Sequence, residues 1–489
     1  MRGRDPRRIG GSVMSGTTKK AVVDFTEGRI TGKMIKFALP LMATALLQSL
    51  YNAADMIVVA NFAPNGSFAM GAVSACSSLY TLFVNFFIGL SVGVGICVAQ
   101  NIGAKRPEEV KKYVHTAAVI SMLCGALLGV LGFFLSKTML VWMGTPETLL
   151  PEATLYMRAV FVGMPANLVY NFMASALRSS GDSKRPLIFL TVSGLANVAI
   201  NFVMVLGFGM GAVGVGIATA ISQYISAVII VVYMTRTSGV CRLYLNELKA
   251  SKKMIMGIMQ NGLPTGLQSV VFAISNVLIQ VSINSFGDIA VSGSGAANNI
   301  EGFIYVAMNA VSIATITVVS QNVGAANYER IKRIMAVSLV MVSLVGLSIA
   351  GIIMIFHEPL LSIYAPGNDA IAHAVRDSGL VKLLFVGCPY FLCGIMECVS
   401  GALKGMGRSV ISMIVSVIGS CALRIVWIYT VCPFFPEDIG VLYLAYPVTW
   451  IITTTGLAIF LVKAYREMII ARDKRPAKAA ESKPAESLA

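Results

Sequence analysis

Twelve apolar stretches, each long enough to cross a lipid bilayer, leave this chain few folds to choose from. They lie near residues 34–61, 69–100, 113–135, 153–177, 187–207, 210–234, 254–284, 289–321, 331–356, 371–402, 409–432 and 440–463. A helix needs ~20 apolar residues to span hydrocarbon, and several of these stretches exceed that, so tilted or projecting helices are expected. In hydrocarbon every backbone N–H and C=O must find a partner inside the structure, which turns such stretches into helices. Composition agrees: 56% of residues are hydrophobic and 12% charged, and the mean hydropathy is +0.77. An ordinary soluble protein is excluded, and no loop is long enough to fold a catalytic domain. The expected fold class is an all-α polytopic membrane protein with twelve transmembrane helices, and no enzymatic activity is expected.

The formal charge of +15 is explained by topology rather than by nucleic-acid binding. Loops after spans 2, 4, 6, 8 and 10 carry Lys105, Arg106, Lys111 and Lys112; Arg178, Lys184 and Arg185; Arg236, Arg242, Lys249, Lys252 and Lys253; Arg330, Lys332 and Arg333; and Lys404 and Arg408. Loops after spans 1, 5, 7, 9 and 11 carry none, and the loop after span 3 has only Lys137. Arg158, Arg376, Lys382 and Arg424 lie inside spans. The positive-inside rule therefore places both termini and the even loops in the cytoplasm of a cell (plasma or inner) membrane protein. Residues 1–33 are basic and Gly/Ser-rich without an apolar core, so they are expected to be a disordered tail rather than a signal peptide. Met14 is an alternative start. Residues 466–489 are expected to be a second disordered tail.

The two halves repeat. Gln100-Asn-Ile-Gly-Ala104 ends span 2, and Gln321-Asn-Val-Gly-Ala325 ends span 8. Pro40 matches Pro264, Asn52 matches Asn276, and Arg158 matches Lys382 at one common offset. Val162-Gly-Met-Pro165 matches Val386-Gly-Cys-Pro389, and Ala176-Leu-Arg-Ser-Ser-Gly181 matches Ala402-Leu-Lys-Gly-Met-Gly407. Both motif copies end on the same side, so the repeats are parallel, six helices each, around a central cleft. The expected organisation is an N-lobe at 34–234, a cytoplasmic linker at 235–253 and a C-lobe at 254–465. Pro40 and Pro264 should bend spans 1 and 7.

Span 1 carries Asp55, the only Asp, Glu, Lys, Arg or His between Lys36 and Lys105. A charged group at that depth costs ~2.5–3.5 kcal/mol on insertion scales and marks a functional site by default. Thr44, Gln48, Asn52 and Asp55 share one helical face. Asp55 maps onto Ile279 in the second half, so the acid belongs to one lobe only. Asn197 and Asn201 stack on span 5, and Thr219, Ser222 and Gln223 mark span 6. Were spans 1, 5 and 6 to meet, these groups would converge on Asp55. Asn276, Glu301, Glu397 and Arg424 are further intramembrane polar groups, each expected to line the cleft or support it. Glu397 and Arg424 differ in depth by roughly 15 Å at ~1.5 Å rise per residue, so no direct pair is expected.

Other chemistries find little support. The nine cysteines are scattered without Cys-x-x-Cys, so neither disulfides nor a metal site is expected. His115, His357 and His373 are isolated and read as interfacial or loop residues. No Gly-x-x-x-x-Gly-Lys-Ser/Thr loop exists, so transport would draw on an ion gradient, with no cofactor.

The two Gln-Asn-x-Gly-Ala motifs, Ala-Leu-Arg-x-x-Gly-Asp182 after span 4, and the spacing of Pro40 and Asp55 resemble the multidrug and toxic compound extrusion (MATE) family over roughly residues 30–465. The resemblance implies a secondary active exporter of amphipathic, often cationic small molecules, working by antiport and alternating access. It implies a cation or proton site at Asp55, Asn197, Asn201 and Thr219. Asn201 stands where an acid is usual, and no acid appears near Phe272 in span 7. Coupling to H⁺ is therefore expected ahead of Na⁺, with only weak Na⁺ binding at Asp55. The expected partners are small molecules and the bilayer; a monomer is expected. A lipid-linked oligosaccharide flippase is the alternative, and it would need several cleft cations, for which only Arg158, Lys382 and Arg424 are available.

Overall fold

The computed structural model describes residues 23–63, 66–367 and 369–481. Residues 1–22, with Met14, and residues 482–489 of the expected tails lie outside the described residues. Among the described residues, twelve helices are long and apolar enough to cross a membrane. Spans 1–6 are Ile30–Phe62, Phe68–Gly103, Pro107–Trp142, Leu150–Ser179, Lys184–Gly207 and Ala212–Arg236. Spans 7–12 are Lys252–Asn284, Asp288–Gly324, Glu329–Ile355, Ala370–Gly405, Ser409–Phe434 and Ile439–Asp473. A short helix, His357–Tyr364, separates spans 9 and 10. No strand occurs among the described residues. Pro40 and Pro264 sit inside spans 1 and 7 without breaking either helix. Irregularity appears instead as π-helical turns at Val203–Gly207, Leu383–Gly387 and Val417–Ala422 in spans 5, 10 and 11.

The two six-helix lobes are built alike because small residues let the same helices approach closely. In the first, Ser175 and Ser179 of span 4 donate to the Ser91 and Gly95 carbonyls of span 2 at 2.8 Å each. In the second, Ser312 of span 8 donates to the Glu397 carbonyl of span 10 at 2.8 Å, and Ser320 to the Gly405 carbonyl at 3.2 Å. The lobes meet at the end that carries the described termini. At mid-span, span 2 and span 7 touch backbone to backbone: a Cβ on Gly266 would lie 2.6 Å from the Phe86 carbonyl oxygen. Gly103 rests on the Gln321 carbonyl and Gly324 on the Gln100 carbonyl, so the repeated motifs cross each other. Their glutamines latch the lobes reciprocally. Gln100 Nε2 donates to the Gly405 carbonyl at 3.0 Å and Gln321 Nε2 to the Ser179 carbonyl at 2.8 Å. Ser179 and Gly405 are themselves matched positions of the repeat.

Toward the other end the lobes separate. Phe37, Ala38 and Leu41 of span 1 are buried in a core shared with Ala310, Ala314 and Val318 of span 8. Farther along, Gln48, Asn52 and, on span 7, Asn276 are exposed.

Three expectations are corrected. Residues 23–33 are ordered, not a tail. Phe25 is buried against Phe37 at a ring separation of 5.2 Å, and its N–H donates to Gln321 Oε1 at 3.1 Å. Burying one aromatic ring and satisfying its backbone is enough to hold the strap down. The second tail, expected from 466, continues span 12 as one helix from Ile439 to Glu481. The helix-forming run after Lys463 favours continuation, and Glu467–Arg408 (2.8 Å) and Arg472–Glu329 (3.3 Å) pairs tether it. His115, expected at an interface, is buried in span 3. Its Nδ1 faces the Lys111 carbonyl at 2.7 Å and its Nε2 accepts the Tyr244 N–H at 3.0 Å, pinning the segment between the lobes to span 3.

Candidate functional site

Packing on span 5 decides where Asp55 points. Gly194 leaves a notch in span 5, and the Tyr51 ring of span 1 fills it, so that any Cβ there would overlap the ring. Tyr51 Oη donates to the Thr191 carbonyl at 3.4 Å. One turn beyond Tyr51 on the same helix face, Asp55 meets Asn201, one turn beyond Asn197. Asn201 Nδ2 donates to Asp55 Oδ1 at 2.5 Å and to Asn197 Oδ1 at 3.3 Å. Both amides are buried, and Asn201 Oδ1 has no partner. Asp55 forms no ion pair among the described residues. A half-buried carboxyl whose one bonded neighbour is an amide can be held in either protonation state. The amide N–H₂ donates to a carboxylate, and the amide oxygen, turned over, accepts from a carboxylic acid.

The other expected groups divide. Thr44, on the Asp55 face, is turned back on its own helix, donating to the Pro40 carbonyl at 2.7 Å. Gln48 and Asn52 are exposed. Thr219 makes no side-chain hydrogen bond to Asp55 among the described residues; span 6 contributes Gln223 instead. Gln223 Nε2 donates to Tyr80 Oη of span 2 at 3.3 Å, and Tyr80 and Tyr156 stand within electrostatic reach of Asp55. Sequence reasoning passed over both tyrosines, which look like ordinary aromatic fill in apolar helices; only their convergence with Asp55 singles them out. The motif register supplies a signal after the fact: aligning the two Gln-Asn-x-Gly-Ala copies places Tyr80 opposite Glu301.

In the second lobe Asn276 is exposed, while Gln268 of span 7, unnoticed before, is buried with Oε1 unpartnered. Arg424 is buried, donates from Nε to Thr449 Oγ1 at 3.1 Å, and lies 4.3 Å from the Tyr446 ring centroid and 5.9 Å from that of Trp450. Glu397 is half-buried and forms no pair with Arg424. Glu301 is buried with Oε1 unpartnered, and Lys382 of span 10 is buried within electrostatic reach of it. A hollow of about 510 Å³ lies far from these groups, at the termini end between Thr26, Lys105 and Asn327.

The family model described as MatE matches residues 40–203 and 264–430, one match per lobe. "Probable multidrug resistance protein YoeA" of Bacillus subtilis (strain 168) is 25% identical over 443 residues, covering 89% of this chain and 93% of that protein. The "FAD transporter" of Shewanella oneidensis is 22% identical over 358 residues, covering 72% of this chain and 77% of that protein. A solved structure described as the outward-facing conformation of a multidrug resistance MATE family transporter superposes with a TM-score of 0.83. It is 18% identical and covers 94% of this chain and 100% of that one. Twelve helices in two matched lobes, an intramembrane acid in the first, and a family match across both halves place this chain in the MatE family of multi-pass membrane transporters.

Proposed function

We propose that the chain is a secondary active exporter of amphipathic, often cationic compounds, coupled to H⁺ ahead of Na⁺ through Asp55. The observation that carries this reading is the Asp55–Asn201 contact. The acid is half-buried in the wall of one lobe and bonded to an amide rather than neutralised by a base. One carboxylate with two amides makes a poor Na⁺ cage, whereas a proton needs only the carboxyl and an acceptor. In this reading the termini end is cytoplasmic and closed, and the cleft opens to the outside. Proton arrival from outside neutralises Asp55, span 1 shifts against span 5, and the cationic substrate is released. Each inward charge gains ~2.3 kcal/mol per 100 mV. That supports roughly fiftyfold accumulation, since about 1.4 kcal/mol is tenfold.

The flippase alternative finds little support. Arg158 turns to the Phe133 carbonyl (3.2 Å) and ring, Lys382 is buried among span 8 oxygens, and Arg424 lies against Tyr446. These three cations do not converge on one anionic group. The test is efflux of ethidium from proteoliposomes under imposed H⁺ or Na⁺ gradients. Asp55→Asn should insert normally and lose gradient-driven efflux. Wild-type efflux that follows a Na⁺ gradient alone overturns the H⁺ assignment, and undiminished efflux by the variant overturns the role of Asp55.

A further inference from the structure

We propose that Glu301 and Lys382 form a second proton-carrying site, in the C-lobe, in which the lysine ammonium is a tethered cation passed between neutral oxygens and the Glu301 carboxylate. Ser294, Asn298 and Glu301 lie at i, i+4 and i+7 on span 8 and so share one face. Lys382 reaches this face from span 10. Its ammonium donates to Ser294 Oγ at 3.0 Å, to the Ser294 carbonyl at 3.5 Å, and to Asn298 Oδ1. The Tyr443 ring centroid lies 5.7 Å away. An ammonium has three donors, and neutral oxygens already take all three.

Glu301, one turn along the same face, is left without a cation. It forms no ion pair among the described residues, and its Oε1 is buried with no partner. A lone buried carboxylate is far costlier than a neutral acid, so in this state Glu301 holds the proton. The titratable groups facing it are Lys382 and Tyr390 of span 10 and Tyr443 and Tyr446 of span 12. Arg424 of span 11 is engaged by Thr449 and Tyr446, and Tyr305, next along span 8, faces Glu397. No charged group of spans 1, 2, 7 or 9 reaches Glu301 among the described residues.

The fold contains a device for the exchange. Lys382 is followed at once by the π-helical segment Leu383–Gly387, closed by the Cys388 N–H to Leu383 carbonyl bond of 2.8 Å. Gly387 abuts Glu301 Cγ at 4.0 Å from its would-be Cβ, and Gly293 and Gly379 bring spans 8 and 10 backbone to backbone beside Ser294. Returning a π turn to α register rotates the helix before it by ~100° per residue. Moving from Asn298 to Glu301 takes the ammonium only ~4.5 Å along span 8, within the sweep of its four-carbon stem. In the step the Glu301 O–H bond breaks and its electron pair stays on the carboxylate oxygen. The proton passes to water, the carboxylate accepts a hydrogen bond from Lys382, and nothing is oxidised or reduced. Asn298, the ammonium's present partner, is exposed and offers the nearest contact with the surroundings.

The deciding experiment is infrared difference spectroscopy of the protein in nanodiscs during a pH titration, reading the carbonyl stretch of buried protonated carboxyls. Wild type should show a carboxylic-acid band near neutral pH that disappears in Glu301→Gln and survives in Asp55→Asn. The same band in wild type and Glu301→Gln, or its absence from wild type, overturns the proposal. Lys382→Met gives an independent arm that leaves Glu301 in place. Without its ammonium partner the acid should stay protonated to higher pH, and a band that titrates as in wild type overturns the exchange. Because Asp55 is read separately, this proposal can fail while the Asp55 reading stands, and the reverse.

Discussion

Replacing Gly103 by alanine puts a methyl group where the Gln321 carbonyl already stands. The added Cβ would overlap that oxygen and lie 2.7 Å from its carbon and 3.0 Å from the Gln321 Cα, against the 3.5–4.0 Å of an ordinary contact. The obstructing atoms are backbone in the middle of a buried helix end, so no rotamer relieves them; spans 2 and 8 must part. Overpacking of this kind costs ~1–3 kcal/mol. The penalty applies only while the termini end is closed, so it shifts the closed-to-open ratio toward opening by roughly 5- to 150-fold. Nitroxide labels at Glu108 and Lys332, both exposed at helix starts flanking the seam, report the separation by double electron–electron resonance. Gly103→Ala should add or enlarge a long-distance population, and Gly324→Ala should do the same by the matched contact with Gln100. Gly302→Ala, in span 8 with open space around it, should leave the distribution unchanged. A Gly103→Ala distribution identical to wild type refutes the argument that the motif crossing holds this end shut.

Other expectations follow from single contacts. Gly194→Val evicts Tyr51 from its notch and should separate Asp55 from Asn201, lowering proton-driven ethidium efflux nearly as far as Asp55→Asn while insertion is kept; full efflux sinks the positioning role. Phe25→Ala removes a buried ring, a change worth ~3–5 kcal/mol in cores. It should speed hydrogen exchange across residues 23–28 without loosening spans 1 and 8. Burial pushes the Asp24 carboxyl up, but the Thr26 hydroxyl and N–H, aided by Lys33 and Lys105, outweigh it and hold the carboxyl below its usual range. The support it lends the strap is therefore complete above the ordinary aspartate pKa and lost as pH falls through the lowered value. Exchange at the Thr26 amide, corrected for intrinsic rate, should rise in strongly acidic buffer in wild type and stay pH-independent in Asp24→Asn.

Much of this protein was written in its residue order. Span number follows from apolar length alone, because hydrocarbon forces helices wherever ~20 apolar residues run together. Pseudo-symmetry was legible in Gln100–Ala104 and Gln321–Ala325, whose glycines and glutamines have the same task in each lobe. Asp55 stood out because a carboxyl in an apolar run has no ordinary reason to be there. What sequence could not supply was the meeting of side chains from different spans. Asn201 rather than Thr219 faces Asp55 because the Gly194 notch seats Tyr51 and sets the rotation of span 1 against span 5. Residues 23–33 look like a tail until Gln321 and Asn322, almost three hundred residues later, supply partners for Phe25. Lys382 and Glu301 each stand out in the sequence as charges inside spans, but their relation depends on a π turn and a glycine crossing, neither of which leaves a periodic signature. Length and polarity are properties of one segment and survive reading along the chain, whereas rotation, depth and crossing belong to pairs of helices and exist only once the lobes have packed.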